Sequence, residues 1–288
     1  MTLVVTGATG HLGRLVVESL LARGTAPADI LATGRSVDKL ADFAARGVKV
    51  AALDYSKPDT ITAALSAGDT VLLVSASEPG NRVGLHTAVI SAAKEAGVAR
   101  IVYTSAPKAT TSSLILAPDH KATEELITES GLPFTILRNG WYTENYAGEI
   151  EKGRENGAIV ASVGDGRVAS ASRKDYADAA AVVLTGTGFE NQVFELSGDV
   201  AWSFDDLAAA IAGIVGSDVA YERLTPEAHA ELLKSFGLDE GTIGFVVALD
   251  GNIRDGLLAD TSGDLARLIG RPTTPLAEGL SAAAPATH

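Results

Sequence analysis

Apolar and polar positions follow two rhythms in the first half of this chain. Short apolar runs at residues 3–6, 30–33, 48–53, 70–74, 101–104 and 134–137 read as strands. The run at 70–74 is apolar almost throughout, as in a strand covered on both faces. Ala/Leu-rich stretches at residues 11–23, 37–45, 85–96 and 123–130 read as helices, the first ending at Gly24, which suits a left-handed cap. Strand and helix alternate, which implies parallel strands joined by right-handed crossovers with helices on both faces. The predicted fold class is α/β, a doubly wound parallel sheet of the Rossmann type.

Past residue 139 the rhythm loosens. Helical pattern covers residues 174–184, 205–215, with Ser203 placed to cap it, and 226–236; strand-like pieces lie at 193–196 and 219–221. The predicted organisation is a nucleotide-binding domain over residues 1–140, with later segments returning to its sheet, and a smaller C-terminal α/β lobe over residues 141–288. The tail after Pro272 is rich in proline and alanine and is expected to be partly frayed.

Composition narrows the function classes. The chain has 288 residues, 46% of them apolar, enough for a sizeable core. Its 36 acidic against 23 basic residues leave a net charge of −13, a field that repels phosphate backbones, so nucleic-acid binding is not expected beyond a small local basic pocket. The absence of cysteine removes disulfides, thiolate nucleophiles and iron–sulfur clusters. The five histidines, at 11, 86, 120, 229 and 288, have no paired spacing, so no metal site is expected. The N-terminus lacks a secretory signal and no apolar run approaches the ~20 residues that span a bilayer. A cytoplasmic protein without membrane contact is expected; its oligomeric state is open, a homodimer included.

Residues 7–13, Gly-Ala-Thr-Gly-His-Leu-Gly, follow the first predicted strand and open the first predicted helix, the setting in which such a loop binds a dinucleotide. Gly7 allows a sharp turn, Gly10 lets backbone approach a pyrophosphate, and Gly13 allows helix and strand to pack closely. Thr9, His11 and Leu12 share the loop, and the helix N-terminal amides attract the anion. Arg35, about 20 residues on, either meets the 2′-phosphate of NADPH or is a solvated loop arginine. An acidic residue there would select NADH. NADPH is the expected cofactor, with NADH use open. Asp54 and Tyr55 follow the third strand, where they can meet an adenine or simply form a turn. Ser75, Ala76 and Ser77 follow the fourth, at the carboxyl edge where ligands of such sheets lie, as ribose or substrate contacts or as small residues permitting close approach.

Short-chain dehydrogenases commonly protonate a carbonyl with a tyrosine followed four residues later by lysine. None of the six tyrosines (55, 103, 142, 146, 176 and 221) has lysine there; Tyr103, inside the fifth predicted strand, comes nearest, with Lys108 one residue too far. Near the carboxyl edge remain Thr104 and Ser105, Asp119-His120-Lys121 before a predicted helix, and residues 138–142, Arg-Asn-Gly-Trp-Tyr.

Together with the glycine loop and Arg35, His120-x-x-Thr123-Glu124 and residues 137–146 (Leu-Arg-Asn-Gly-Trp-Tyr-x-Glu-Asn-Tyr) resemble the type-2 NAD(P)H:quinone oxidoreductases. So do Gly164-Asp165-Gly166, residues 195–199 with Ala201-Trp202, and residues 269–274. This resemblance lies within the NmrA-like atypical short-chain dehydrogenase family, which also holds triphenylmethane reductase, and runs nearly end to end. It departs at His11, commonly glutamine in bacterial relatives, and at Lys121, often apolar. The resemblance implies a Rossmann domain with a small C-terminal lobe, no flavin, and direct hydride transfer from NADPH to a quinone. It implies Asn139 and Gly140 at the nicotinamide, Trp141 and Tyr142 walling the acceptor site, and His120, Lys121 and Tyr142 as catalytic candidates. His120 is the favoured donor of a proton or hydrogen bond, its ordinary pKa being near neutral. A redox-sensing regulator without turnover, or a reductase of another conjugated acceptor (triphenylmethane dye, enone or imine), are the competing readings.

Overall fold

The computed structural model describes residues 1–76 and 80–284. Its strands are β1 (Leu3–Val5), β2 (Ile30–Gly34), β3 (Lys49–Ala52), β4 (Thr70–Leu73), β5 (Arg100–Ser105), β6 (Phe134–Asn139), β7 (Ala158–Ala161), β8 (Arg167–Val168), β9 (Gln192–Leu196), β10 (Trp202–Ser203) and β11 (Ala220–Arg223). Helices of the first half are α1 (His11–Ala22), α2 (Ala41–Ala45), α3 (Pro58–Ala64), α4 (Arg82–Ala96) and α5 (Ala117–Ser130). Those of the second are α6 (Ala147–Asn156), α7 (Arg173–Thr185), α8 (Phe204–Val215), α9 (Pro226–Ser235), α10 (Glu240–Arg254), α11 (Asp264–Ile269) and α12 (Leu276–Ala283).

The main sheet runs β3-β2-β1-β4-β5-β6-β9, every neighbouring pair parallel. Strand order reverses between β1 and β4, and a crevice opens there at the carboxyl edge. Alternate residues of each strand feed different layers. Val5, Leu72, Val102 and Leu137 pack with α1 and α7, while Val4, Val71, Leu73, Ile101 and Tyr103 pack with α3, α4 and Ile127 of α5. The doubly wound parallel sheet is thus the fold expected. A third core, around Tyr146, Ile150, Trp202, Phe204, Leu207 and Ile211, joins α6, α8 and the short pairs β7–β11 and β8–β10.

Several boundaries move. The strand-like piece at 193–196 is β9, the seventh strand of the main sheet, and α7 packs against α1 beneath it, so the second half of the chain contributes directly to the first core. The outer edge of β9 is met by side chains: the Glu195 N–H donates to Asp264 Oδ2 at 3.2 Å and its carbonyl accepts from Ser262 Oγ. α5 begins at Ala117, six residues before the expected helix, with Pro118 in its first turn, where a missing N–H costs nothing. His120 and Lys121 therefore lie on the helix, not ahead of it.

α6 and α10 escaped the pattern because glycines interrupt it: Gly148 and Gly153 in one, Gly241, Gly244 and Gly251 in the other. Gly153 has a packing reason, since a Cβ there would come within 2.7 Å of Ile211. The tail expected to fray is ordered through Ala284. Thr273 N–H donates to Asp199 and Thr274 N–H to Asp175, and Gly279 of α12 packs closely on Thr143. Ser203 caps α8 with a full capping box, as expected.

Candidate active site

A cleft of about 560 Å³ lies at the carboxyl edge where β1 and β4 meet. Its first wall is the loop between β1 and α1. Gly7 takes φ +61°, which favours glycine, and its carbonyl accepts from Gly10 N–H at 2.9 Å. A Cβ on Gly13 would stand 2.4 Å from that carbonyl, so helix and loop touch only because the position is bare. α1 has no side-chain cap at Gly10, which leaves the amides of its first turn without intrahelical partners beside the cleft. Thr9 also lines this end, pressed so close to Gly34 that a Cβ there would meet its side chain at 2.6 Å.

Arg35 lines the next stretch, and its charge helps hold the Asp54 carboxyl below its usual range, after the larger effect of hydrogen bonds from Ser56. Asp54 accepts both the Ser56 N–H, at 3.0 Å, and its hydroxyl, at 2.7 Å, so it does form a turn while still facing the cleft. Tyr55 hydroxyl donates to the Val74 carbonyl at 2.8 Å, which fixes the ring along the wall.

The segment after β4 is held from behind. Ser75 N–H donates to Thr104 Oγ1 at 2.9 Å, and Ala76 N–H donates to Nε2 of buried His86 at 2.9 Å. His86 accepts at Nε2 and therefore carries its proton on Nδ1, facing Thr123 Oγ1 at 2.9 Å. Burial, with Arg82 nearby, pushes its pKa down to about 4. Arg82 Nε donates to the Ala76 carbonyl at 2.8 Å, so this residue is gripped at both its N–H and its C=O. Ser77 lies outside the described residues.

At the far end stand His120, Asn139, Gly140, Trp141 and Tyr142, with Ala106, Pro107, Leu114, Leu116 and Leu258 as an apolar wall. His120 is buried, its Nδ1 2.8 Å from the Tyr103 hydroxyl, which leaves Nε2 as the ring nitrogen available to the cleft. Burial above all, then the charges of Arg82 and His86, depress its pKa to about 3. The expectation of a near-neutral pKa is therefore corrected: at neutral pH His120 is an uncharged imidazole that can donate a hydrogen bond but carries no surplus proton. Tyr142 is likewise a phenol, since burial raises its pKa; it receives a 3.4 Å hydrogen bond from Asn139 Nδ2 and stacks edge-on against Tyr176. Among the described residues the buried Asn139 Oδ1 has no hydrogen-bond partner. Gly140 is required by the backbone, for a Cβ would come within 2.9 Å of both the Leu196 carbonyl and the Tyr176 hydroxyl.

Ser105 belongs to the wall through a structural cluster. Its hydroxyl donates to Glu124 Oε1 at 2.5 Å, and Arg138 binds Glu124 through Nε and Nη2 and Glu195 through Nη1. The Glu124 and Arg138 of the sequence motif thus brace β5, β6 and α5 behind the cleft.

The structure gathers the expected cofactor loop, Arg35, Asp54, Tyr55, Ser75, Ala76, Thr104, Ser105, His120 and residues 139–142 around one cavity. Lys121 is not among them. One residue past His120 turns the side chain by a quarter of the helix, and Lys121 sits half-exposed on the outer face beside Glu125, at 3.9 Å. Sequence reasoning missed Arg82, Arg173 and the apolar wall; Asn145, within the 137–146 motif, also lines the cleft. Arg82 was hidden because the predicted third helix, at 85–96, began three residues too late. Among the described residues the lining carries three arginines, Arg35, Arg82 and Arg173, against one carboxylate, Asp54, a cationic cleft in an anionic molecule. Also among the described residues, no group of three or more His, Cys, Asp or Glu could hold a metal, and no helix is long and apolar enough to cross a membrane.

Comparison with known proteins agrees with this geometry. The profile of an NAD(P)H-binding family matches residues 7–187. Quinone oxidoreductase 2 of Escherichia coli is 44% identical over 280 residues, covering 97% of both chains. The crystal structure of the NADPH-dependent quinone oxidoreductase from E. coli, complexed with NADPH, superposes with a TM-score of 0.93 at 43% identity, over 98% of this chain and 99% of that one. Triphenylmethane reductase of Citrobacter sp., complexed with NADP(H), does so with a TM-score of 0.92 at 36% identity, over 98% and 100%. The chain belongs to this NAD(P)H-binding family, on the NmrA-like branch that holds quinone oxidoreductase 2.

Proposed function

We propose that this protein is an NADPH-dependent quinone oxidoreductase that moves a hydride from the nicotinamide directly to a quinone. A dinucleotide suits the residues present. The bare backbone of the 7–13 loop leaves amides for a pyrophosphate, and the cationic lining suits an anion. Asn139 Oδ1, buried with no hydrogen-bond partner among the described residues, is the acceptor that a carboxamide N–H would satisfy. The reading rests above all on that orphaned oxygen lying in the same cleft as His120 and an apolar wall.

In this reading Gly7, Thr9, Gly10, His11, Leu12 and Gly13 hold the pyrophosphate, and Arg35 holds the 2′-phosphate. Asp54 and Tyr55 flank the adenine; Ser75, Ala76, Thr104 and Ser105 line the ribose side; Asn139 and Gly140 position the nicotinamide. NADPH, when bound, supplies the hydride. Trp141, Tyr142, Leu114 and Leu116 hold a flat acceptor against it, excluding water and fixing a near-attack approach. In this reading Nδ1 of His120 accepts from the Tyr103 hydroxyl, 2.8 Å away, and Nε2 donates a hydrogen bond to an acceptor oxygen. A quinone accepts electrons readily, so the absence of a tyrosine–lysine acid pair is no obstacle.

The test is the loss of NADPH absorbance on adding benzoquinone or a naphthoquinone, with acceptor-free oxidation subtracted. Quinone-dependent turnover is expected. Tight NADPH binding without it would leave a redox-sensing binder instead. The likeness to triphenylmethane reductase makes a triphenylmethane dye the second acceptor to try.

A further inference from the structure

Arg82 faces the cleft, yet neither the cofactor contacts nor the acceptor wall uses it. Its side chain is only 12% exposed. Nε donates to the Ala76 carbonyl at 2.8 Å, and Nη1 meets Asp119 Oδ2 at 3.3 Å. Among the described residues Nη2 has no hydrogen-bond partner, and Arg82 lines the cleft. Asp119 is 39% exposed and neutralises the guanidinium only through a water-screened contact. Arg82 stands near enough to His120 for its charge to act on that ring, and His120 follows Asp119 directly in α5.

The chemistry needs such a group. Hydride addition delivers two electrons and one hydrogen to a neutral quinone, oxidises the dihydronicotinamide, and leaves a hydroquinone monoanion. Neutral His120 can hydrogen-bond the nascent oxyanion but has no surplus proton to release. An arginine in the cleft wall stabilises that charge without proton transfer, and a fixed cation beside developing charge is among the strongest catalytic devices.

We propose that Arg82 is a catalytic residue: Nη2, with Nε2 of His120, forms a two-donor pocket for the quinone oxygen that becomes anionic. The inference rests on the quinone reading above. The proton completing the hydroquinone comes from water through the open side of the cleft, with hydroxide passing to the buffer. Arg82 stays protonated throughout, and His120 stays neutral.

Rapid-mixing measurement of NADPH oxidation decides it, using wild type, Arg82→Met and Arg82→Lys with a series of quinones whose hydroquinones differ in acidity. Arg82→Met should slow hydride transfer roughly 100-fold with methylated quinones. The loss should shrink with halogenated quinones, whose anions need less help, and Arg82→Lys should recover part of it. NADPH affinity, read by fluorescence quenching, should stay within about threefold of wild type. If wild type reduces quinones and Arg82→Met matches it, the inference falls while the quinone reading stands. An equal loss with every quinone, accompanied by weakened NADPH binding, also overturns it, because Arg82 would then only clamp Ala76. A wild type inert to all quinones removes the reading and the inference together. Should Arg82→Met fail to fold, Asp119→Asn serves: with its counter-ion gone, Arg82 should speed transfer about twofold to fivefold, and no change or a fall overturns the proposal.

Discussion

At one end of the cleft a ligand would meet main chain; at the other it would meet side chains. The 7–13 loop presents amides whose positions follow from three glycines within seven residues, one at φ +61° and one with no room for a Cβ. The opposite end is assembled from residues 106–120, 139–142 and 258, carried by three separate stretches of chain. Backbone recognition is intolerant of substitution and indifferent to the identity of neighbouring side chains, whereas the side-chain wall can be re-cut one residue at a time. One end can therefore keep a single cofactor while the other varies its acceptor.

The largest effect should come from breaking the backbone end. Gly13→Ala drives a methyl into the Gly7 carbonyl, and relief requires the loop to shift. Overpacking of this kind costs about 1–3 kcal/mol, so NADPH affinity by fluorescence titration should fall up to roughly 100-fold. Affinity within twofold of wild type would show that the loop is softer than its packing suggests. Arg35→Ala comes next: the NADPH Michaelis constant should rise roughly 10- to 100-fold, the worth of a charged hydrogen bond, while that for NADH should barely move. Equal shifts would remove Arg35 from the 2′-phosphate.

The acceptor end should respond separately. Leu114→Ala and Trp141→Ala are each expected to raise the quinone Michaelis constant roughly tenfold, because less apolar surface is then removed from water when the acceptor binds. NADPH affinity should be unchanged, and coupled losses would mean that the two ends are one unit. His120→Ala should lower kcat about fivefold to tenfold, the worth of one hydrogen bond. Because its ring titrates at about 3, the wild-type rate should show no histidine inflection at neutral pH. An inflection near pH 6.5 that vanishes in the variant would restore it as a proton donor.

The smallest effect concerns stability. Folded His86 titrates at about 4, below the ordinary 6.5, so the unfolded chain binds more protons between those values. Its contribution is intact above pH 6.5 and is lost as the pH falls towards 4. Melting temperature should drop by a few degrees between about pH 7 and 5 on this account, and His86→Gln should flatten that slope.

The same contrast explains what could be read from the residues alone. The cofactor end is local in sequence, a glycine loop after an apolar run and an arginine after the next strand, so its members are visible in the unfolded chain. His120 and residues 139–142 are visible through the family resemblance. The apolar wall is not, since Leu114, Leu116 and Leu258 look like any core leucines until the chain brings them to the rim. Lys121 misled because one step along a helix separates a cleft residue from a surface one. The ionisation of His120 could not be read at all: it depends on burial and on Arg82 and His86, both distant in sequence.

The outer edge of β9 carries a consequence for the behaviour of many molecules together. A parallel sheet that ends in a bare strand offers its unpaired amides and carbonyls to the next chain it meets. Here Asp264 takes the Glu195 N–H and Ser262 covers the Glu195 carbonyl, so the middle of that edge is already bonded within its own chain. Strand-to-strand growth between molecules must first break those bonds. Concentrated solutions of the folded protein should therefore resist thickening by sheet extension at this edge, and Ser262→Ala with Asp264→Ala should weaken that resistance before it weakens the fold.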